Sequence, residues 1–128
     1  MNLNDVTEKI IGSAIAVHRE LGPGLLESVY QACLFDELKA LGLSVDKEVA
    51  LPVIYRGRVV SNEGFRIDLL VEHAVIVELK SVEKLSPVHA KQLLTYLRLS
   101  DKSLGLLINF NVAVLRDGIT RISNGFNL

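Results

Sequence analysis

Three charged residues interrupt an otherwise apolar stretch, FRIDLLVEHAVIVELKS from Phe65 to Ser81: Asp68, Glu78 and Lys80. Side chains alternate between the faces of a strand, so Glu78 and Lys80 share one. If Glu72, His73 and Ala74 form a hairpin loop, Val71 pairs with Val75. Asp68 then falls opposite Glu78, and Arg66 opposite Lys80. Like charges directly opposite destabilise a sheet unless something compensates, and a divalent cation does so. Two carboxylates bind a hard cation such as Mg²⁺ or Mn²⁺ through oxygen. Such an ion polarises a phosphodiester and acidifies a bound water. A neighbouring lysine positions that water or meets the charge that develops on phosphorus. The alternative is a solvated face of an antiparallel hairpin.

The flanking elements decide whether more groups reach this patch. Val6, Ile10, Ala14, Val17 and Leu21 define one face of a helix over residues 3–21, capped by Asn4 or Asp5 and ended by Gly22-Pro23-Gly24. A second helix is predicted from about Leu25 to Leu41, with Glu27 on the stripe of Tyr30, Leu34 and Leu38. Glu27 thus points inward as a third carboxylate, unless it is an ordinary exposed acid favoured by the helix dipole. Periodicity changes to that of strands at Val45. Glu48–Tyr55 is one strand, Arg56-Gly57 a turn, and Arg58–Ser61 leads through Asn62-Glu63-Gly64 into the central hairpin. Ser86-Pro87 opens a helix to about Leu99. Gln92 and Tyr96 lie one turn apart on it, placed to contact a phosphate or hold Lys80, or to make ordinary boundary contacts. Leu104–Phe110 is a further strand, and Val112–Leu115 and Ile119–Ile122 flank an Asp117-Gly118 hairpin turn. Asn124–Leu128 is read as a frayed end. The order is ααβββαβββ, an α/β (α+β) chain.

Other reactive side chains are weaker candidates. His18 lies beside an apolar helix face, close in sequence to Glu27. A lone histidine there is more often packed than a ligand. His73 reads as a loop residue and His89 as an exposed first-turn residue. Cys33, the only cysteine, has no base paired with it and belongs to the core. Arg66, Lys84, Lys91 and Arg98 are available for phosphate contacts.

With 128 residues, 49% of them hydrophobic, the chain reads as one domain, 1–128, with a real core. No apolar run reaches the roughly 18 residues of a membrane span. No basic-then-apolar leader opens the chain, so a cytoplasmic protein without a signal peptide is expected. A net charge of −1 argues against a passive nucleic-acid coat protein. It leaves room for an enzyme that works through a local basic groove and a metal.

Asp68 with Glu78-Leu79-Lys80 resembles the core signature of the PD-(D/E)XK nuclease superfamily. Gly24-Leu25-Leu26-Glu27-Ser28-Val29-Tyr30 matches the motif that names its GxxExxY family. The similarity continues through RIDLLVE, VIVELKSVEKLSPVHAKQLLTYL and LLINFNVAVLRDGITRI, most of the chain. Gln92 and Tyr96 resemble the QxxxY element of the RecB-like branch. Ile67 stands where the superfamily has proline, and Asn111 where glycine is expected after the NF pair. The resemblance implies a mixed sheet flanked by helices and a divalent metal, Mg²⁺ or Mn²⁺, on Asp68 and Glu78. The Leu79 carbonyl is a further expected ligand, Glu27 matches the first-helix acid, and Lys80 the catalytic lysine. It implies a nuclease acting on nucleic acid, with DNA the expected polymer. Arg66, Lys91, Gln92 and Tyr96 are then the candidate substrate contacts. A catalytically silent module that binds nucleic acid or a protein is the alternative. Self-association, as a homodimer or larger complex, is left open.

Overall fold

The computed structural model describes residues 1–125. Two helices, α1 (Leu3–Leu21) and α2 (Glu27–Ala40), precede three strands, β1 (Val45–Tyr55), β2 (Arg58–Val71) and β3 (Val75–Lys80). Helix α3 (Pro87–Ser100) then leads to β4 (Leu104–Asn109) and β5 (Ile119–Ser123). The five strands form one mixed sheet in chain order. β3 and β4 are parallel, joined through α3, and every other neighbour is antiparallel. Every residue of β4 is buried, as a parallel strand covered on both faces requires. Helices α1 and α2 cover one face through Val6, Ile10, Ala14, Tyr30 and Leu34. Helix α3 covers the other through Leu93 and Leu97. Among the described residues no helix is long and apolar enough to cross a membrane.

Helix boundaries follow their caps. Asn2, not Asn4 or Asp5, caps α1, its Oδ1 accepting from Asp5 N at 2.9 Å. Ser86 caps α3 as expected, with Pro87 at its first position. β5 is tied back to the start of the chain. Arg121 donates to Thr7 Oγ1 at 3.2 Å and Asn4 Oδ1 at 3.1 Å, so the last strand locks α1 onto the sheet.

Two expectations about the strands are corrected. Asn62-Glu63-Gly64 does not break the chain but forms a bulge inside a continuous β2, where Leu51 pairs with Phe65 and Val53 with Ser61. Gly64 is required there, since a Cβ would overlap the Val53 side chain. Val112–Leu115 is not a strand, and Asp117-Gly118 is not a two-residue hairpin. A 3-10 helix occupies Leu115–Gly118. The buried Asn109 turns the chain aside, its Oδ1 accepting from Val82 N at 3.1 Å and Asn111 N at 3.2 Å. Leu115 then drops into the core, and Gly118 packs so close to the Asn109 carbonyl that a Cβ would collide with it. At the far end, Asn124 is anchored rather than frayed, by Ser103 O at 2.9 Å and Lys102 O at 3.0 Å. Of that expected frayed end, residues 126–128 lie outside the described residues.

Candidate active site at the fork between two strands

The central hairpin has the register expected from its loop, with rungs Val71–Val75, Leu70–Ile76 and Leu69–Val77. At the next position the backbone ladder stops. Each carboxylate instead accepts an N–H from the opposite strand. Glu78 Oε2 takes Asp68 N at 2.8 Å, and Asp68 Oδ2 takes Leu79 N at 2.8 Å. The two acids therefore hold β2 and β3 together where the strands part. Beyond them β3 continues only with β4, Lys80 pairing with Asn109. Arg66 does not face Lys80 as expected, because the ladder ends before it. It turns to β1, donating to Glu48 O at 3.1 Å, and to Glu63 Oε1 at 2.7 Å.

Burial makes the acid pair electrostatically costly. Desolvation, first, and the Asp68 charge, second, push the Glu78 carboxyl from the ordinary 4.5 up to about 8. Asp68 is raised too, by burial above all, against the hydrogen bond from Leu79 N, and further by the charges of Glu48 and Glu27. Lys80 pulls both down, yet its ammonium makes no ion pair or hydrogen bond among the described residues and acts only across space. Asp68 Oδ1 and Glu78 Oε1 likewise accept no hydrogen bond from the described residues.

Sequence reading missed two residues of this site. Glu48 lies between the rungs Lys47–Leu69 and Val49–Ile67, across from Asp68. It has φ 53°, unusual for a strand residue that is not glycine. Here β1 and β2 change the helices they face: Val45 and Leu69 pack toward α1 and α2, Val49 and Ile67 toward α3. Gln31 of α2 reaches over, donating to Glu48 Oε2 at 2.6 Å and to Asp68 O at 3.0 Å. Glu27, Ser28, Gln31, Glu48, Asp68 and Leu79 line a cavity of about 260 Å³. Gln31 lies four residues after Glu27 on the same helix face, the one signal that would have pointed to it.

Glu27 is exposed at the first position of α2, at the cavity rim rather than pointing inward as expected. It is exposed because α2 starts there, two residues later than predicted. Leu25 N is bound instead by the Tyr30 hydroxyl at 3.1 Å, which itself donates to Gly22 O at 2.6 Å. The Tyr30 ring stacks on Phe110 at 4.4 Å. Ser81 Oγ donates to Leu25 O at 2.6 Å, and Ser81 N lies 3.4 Å from Glu27 Oε2, so the loop is stitched to the end of β3. The Tyr30→Phe variant loses both loop hydrogen bonds. We expect a cost of about 1–2 kcal/mol in urea unfolding. Unchanged unfolding would show that the tyrosine does not hold the loop.

On the α3 side, Tyr96 stacks on Phe65 at 4.5 Å. Its hydroxyl is raised by burial, then by the charges of Glu78 and Asp68, while a hydrogen bond from Gln92 lowers it. Tyr96 is therefore within electrostatic reach of the acid pair, with Gln92 bonded to its hydroxyl. Lys91 is exposed on the same helix. His18 is not brought to the site. It is buried, bonded through Nε2 to Val112 O at 2.8 Å. His73 meets Ser44 Oγ, and His89 closes the α3 capping box. Cys33 packs against the α1–α2 core.

The donors at the fork suit a hard cation. They are oxygens, they sit in a desolvated like-charged pair, and one oxygen of each carboxylate is free of hydrogen bonds. Among the described residues no three His, Cys, Asp or Glu side chains form a metal cluster, so any ion held here rests on Asp68, Glu78 and backbone or solvent oxygen.

Helices packed on both faces of a mixed sheet, with an acid pair and a lysine where its central strands part, define a nuclease-like α/β fold. A family model of the PD-(D/E)XK nuclease superfamily matches residues 4–122, and the chain belongs to that superfamily. It matches no curated protein and no solved structure.

Proposed function

We propose that this protein is a Mg²⁺- or Mn²⁺-dependent nuclease that hydrolyses phosphodiester bonds in DNA, a member of the GxxExxY family in the RecB-like branch. The observation that carries the reading is the acid pair at the fork, a buried Glu78 and a half-buried Asp68 whose proximity is unfavourable without a cation. Asp68, Glu78 and the Leu79 carbonyl hold the ion, with Glu27 at the rim reaching it through water. Bound there, the ion polarises the phosphodiester and acidifies water. Lys80 supplies an unpaired ammonium to orient the attacking water and meet the charge developing on phosphate oxygens. Tyr96 and Gln92 keep the α3 side of the site in place and, with Arg66 and Lys91, face the substrate strand. The three histidines and the cysteine are all engaged elsewhere, which speaks against zinc. A cytoplasmic location goes with this reading.

The test is cleavage of single-stranded, duplex and branched DNA with Mg²⁺, Mn²⁺ or EDTA, alongside calorimetric Mn²⁺ titration. Wild type is expected to cut only with metal. Asp68→Asn is expected to lose at least about a hundredfold in rate and most Mn²⁺ affinity. Equal Mn²⁺ affinity in the two proteins would overturn the site. Binding of DNA without cleavage under every condition would favour a silent binding module.

A further inference from the structure

The ribbon formed by the ends of β1 and β2 leaves the body of the protein. Every residue from Ile54 to Gly64 is exposed. The last side chains of this ribbon that pack on α3 are Val53 and Phe65. An isolated two-stranded hairpin is marginally stable, and this one holds through its own pairing, Ile54 with Val59 and Tyr55 with Arg58. Its tip is Arg56-Gly57, both at positive φ (50° and 77°), the tight turn that suits a twisted ribbon. Arg56 lies over the Tyr55 ring at 5.3 Å. Ile54 and Val59 remain about half exposed, at 57% and 55%.

The charge on this arm is one-sided. Its single acid, Glu63, is already paired with Arg66 at 2.7 Å. Arg56 and Arg58 have no ion-pair partner among the described residues, although the whole chain carries −1. Two arginines at the end of a narrow ribbon would repel the same tip of a second copy. They would attract a polyanion. The major groove of duplex DNA admits a two-stranded ribbon of this kind. The direction fits as well. Arg58 precedes Asp68 by ten positions on one continuous strand. At about 3.3 Å per residue the tip stands roughly 30 Å from the site, close to one helical turn of DNA. The bulge at Asn62–Gly64 bends the ribbon between those two points.

We propose that the β1–β2 arm is a duplex-DNA-binding ribbon, with Arg56 and Arg58 gripping phosphates about one helical turn from the cleavage site. The proposal rests on the nuclease reading for the position of the cut, not for the binding itself. Apolar Ile54 and Val59 would meet sugar and thymine methyl groups in the groove.

The test is fluorescence anisotropy in EDTA, with no cleavage, on labelled duplexes of 10 and 30 base pairs and a 30-base-pair RNA duplex. The proteins are wild type, Arg56→Gln/Arg58→Gln, Arg56→Glu/Arg58→Glu and Asp68→Asn. The arm variants are expected to bind the long DNA about tenfold or more weakly, and the plot of log affinity against log salt to flatten by one to two units. The short duplex cannot span site and tip, and RNA offers too narrow a major groove, so both should change little. Without metal, Asp68→Asn removes an acid that repels phosphate, so it should bind the long DNA at least as tightly as wild type. Equal affinity and salt slope in the arm variants would overturn the proposal. So would a wild-type dimer in sedimentation that the arm changes convert to monomer, since the occupant would then be a second copy. If the arm variants lose binding yet wild type never cleaves with metal, the arm stands and the nuclease reading falls.

Discussion

Replacing Glu78 by glutamine should raise the melting temperature of the metal-free protein at neutral pH and abolish cleavage. Glutamine keeps an oxygen to accept the Asp68 N–H, now at 2.8 Å, but it cannot ionise. The folded glutamate carboxyl titrates near 8 against an ordinary 4.5. Its contribution to stability is therefore fully present below pH 4.5 and is lost as pH rises through 8. The advantage of the variant opens across that window and stays constant above it. At pH 7 linkage across that window gives up to about 3 kcal/mol, or several degrees. Metal reverses the ranking, since an ion that binds only the folded wild type stabilises it by linkage. Melts at pH 5, 7 and 9, in EDTA and in Mg²⁺, read both effects. A variant less stable than wild type in EDTA at pH 7 would sink this account. So would an equal gain from Mg²⁺ in both proteins.

Cleavage should also collapse when Lys80 becomes arginine, although the charge is kept. Lys80 lowers the acids' titration from a distance and makes no ion pair, so its ammonium is free to approach a reacting group. Arginine is a broad planar fork and cannot replace a compact ammonium at a fixed point. Lys80→Arg and Lys80→Ala should both lose about a hundredfold or more in rate. Lys80→Arg should still bind Mn²⁺ like wild type. Wild-type cleavage by Lys80→Arg would reduce the lysine to a counter-charge.

The acid pair was legible because the loop between β2 and β3 sets the register without interruption: Val71 pairs with Val75, and everything nearby follows. What happens at the pair was not legible. Alternation places Asp68 opposite Glu78, but it does not reveal that each carboxylate replaces a backbone rung and lets the strands part. Glu48 was hidden for a different reason. Counting back from the Arg56-Gly57 turn, where Tyr55 pairs with Arg58, sets Asp68 against Val45. The bulge at Asn62–Gly64 and a second irregularity between Val53 and Ile54 together shift the register by three and bring Glu48 there instead. Gln31 depends on that same shift for its partner. Helices were the easiest part, since Ser86-Pro87 and Gly22-Pro23-Gly24 mark boundaries with local chemistry alone. The strand expected at Val112–Leu115 and not formed shows the opposite case: one buried asparagine at the end of β4 redirects the chain.

The link from Arg121 to Thr7 and Asn4 has a consequence for biosynthesis. The partners stand 114 and 117 positions apart, and contacts so far apart in sequence form slowly and late. While the chain is still being synthesised, β4 and β5 are missing and α1 has no finished sheet to close on. The β2–β3 hairpin that carries Asp68 and Glu78 then lacks β4, the buried strand that lies beside β3 in the finished sheet. The burial that raises the Glu78 carboxyl therefore belongs to the finished sheet and is absent from the emerging chain.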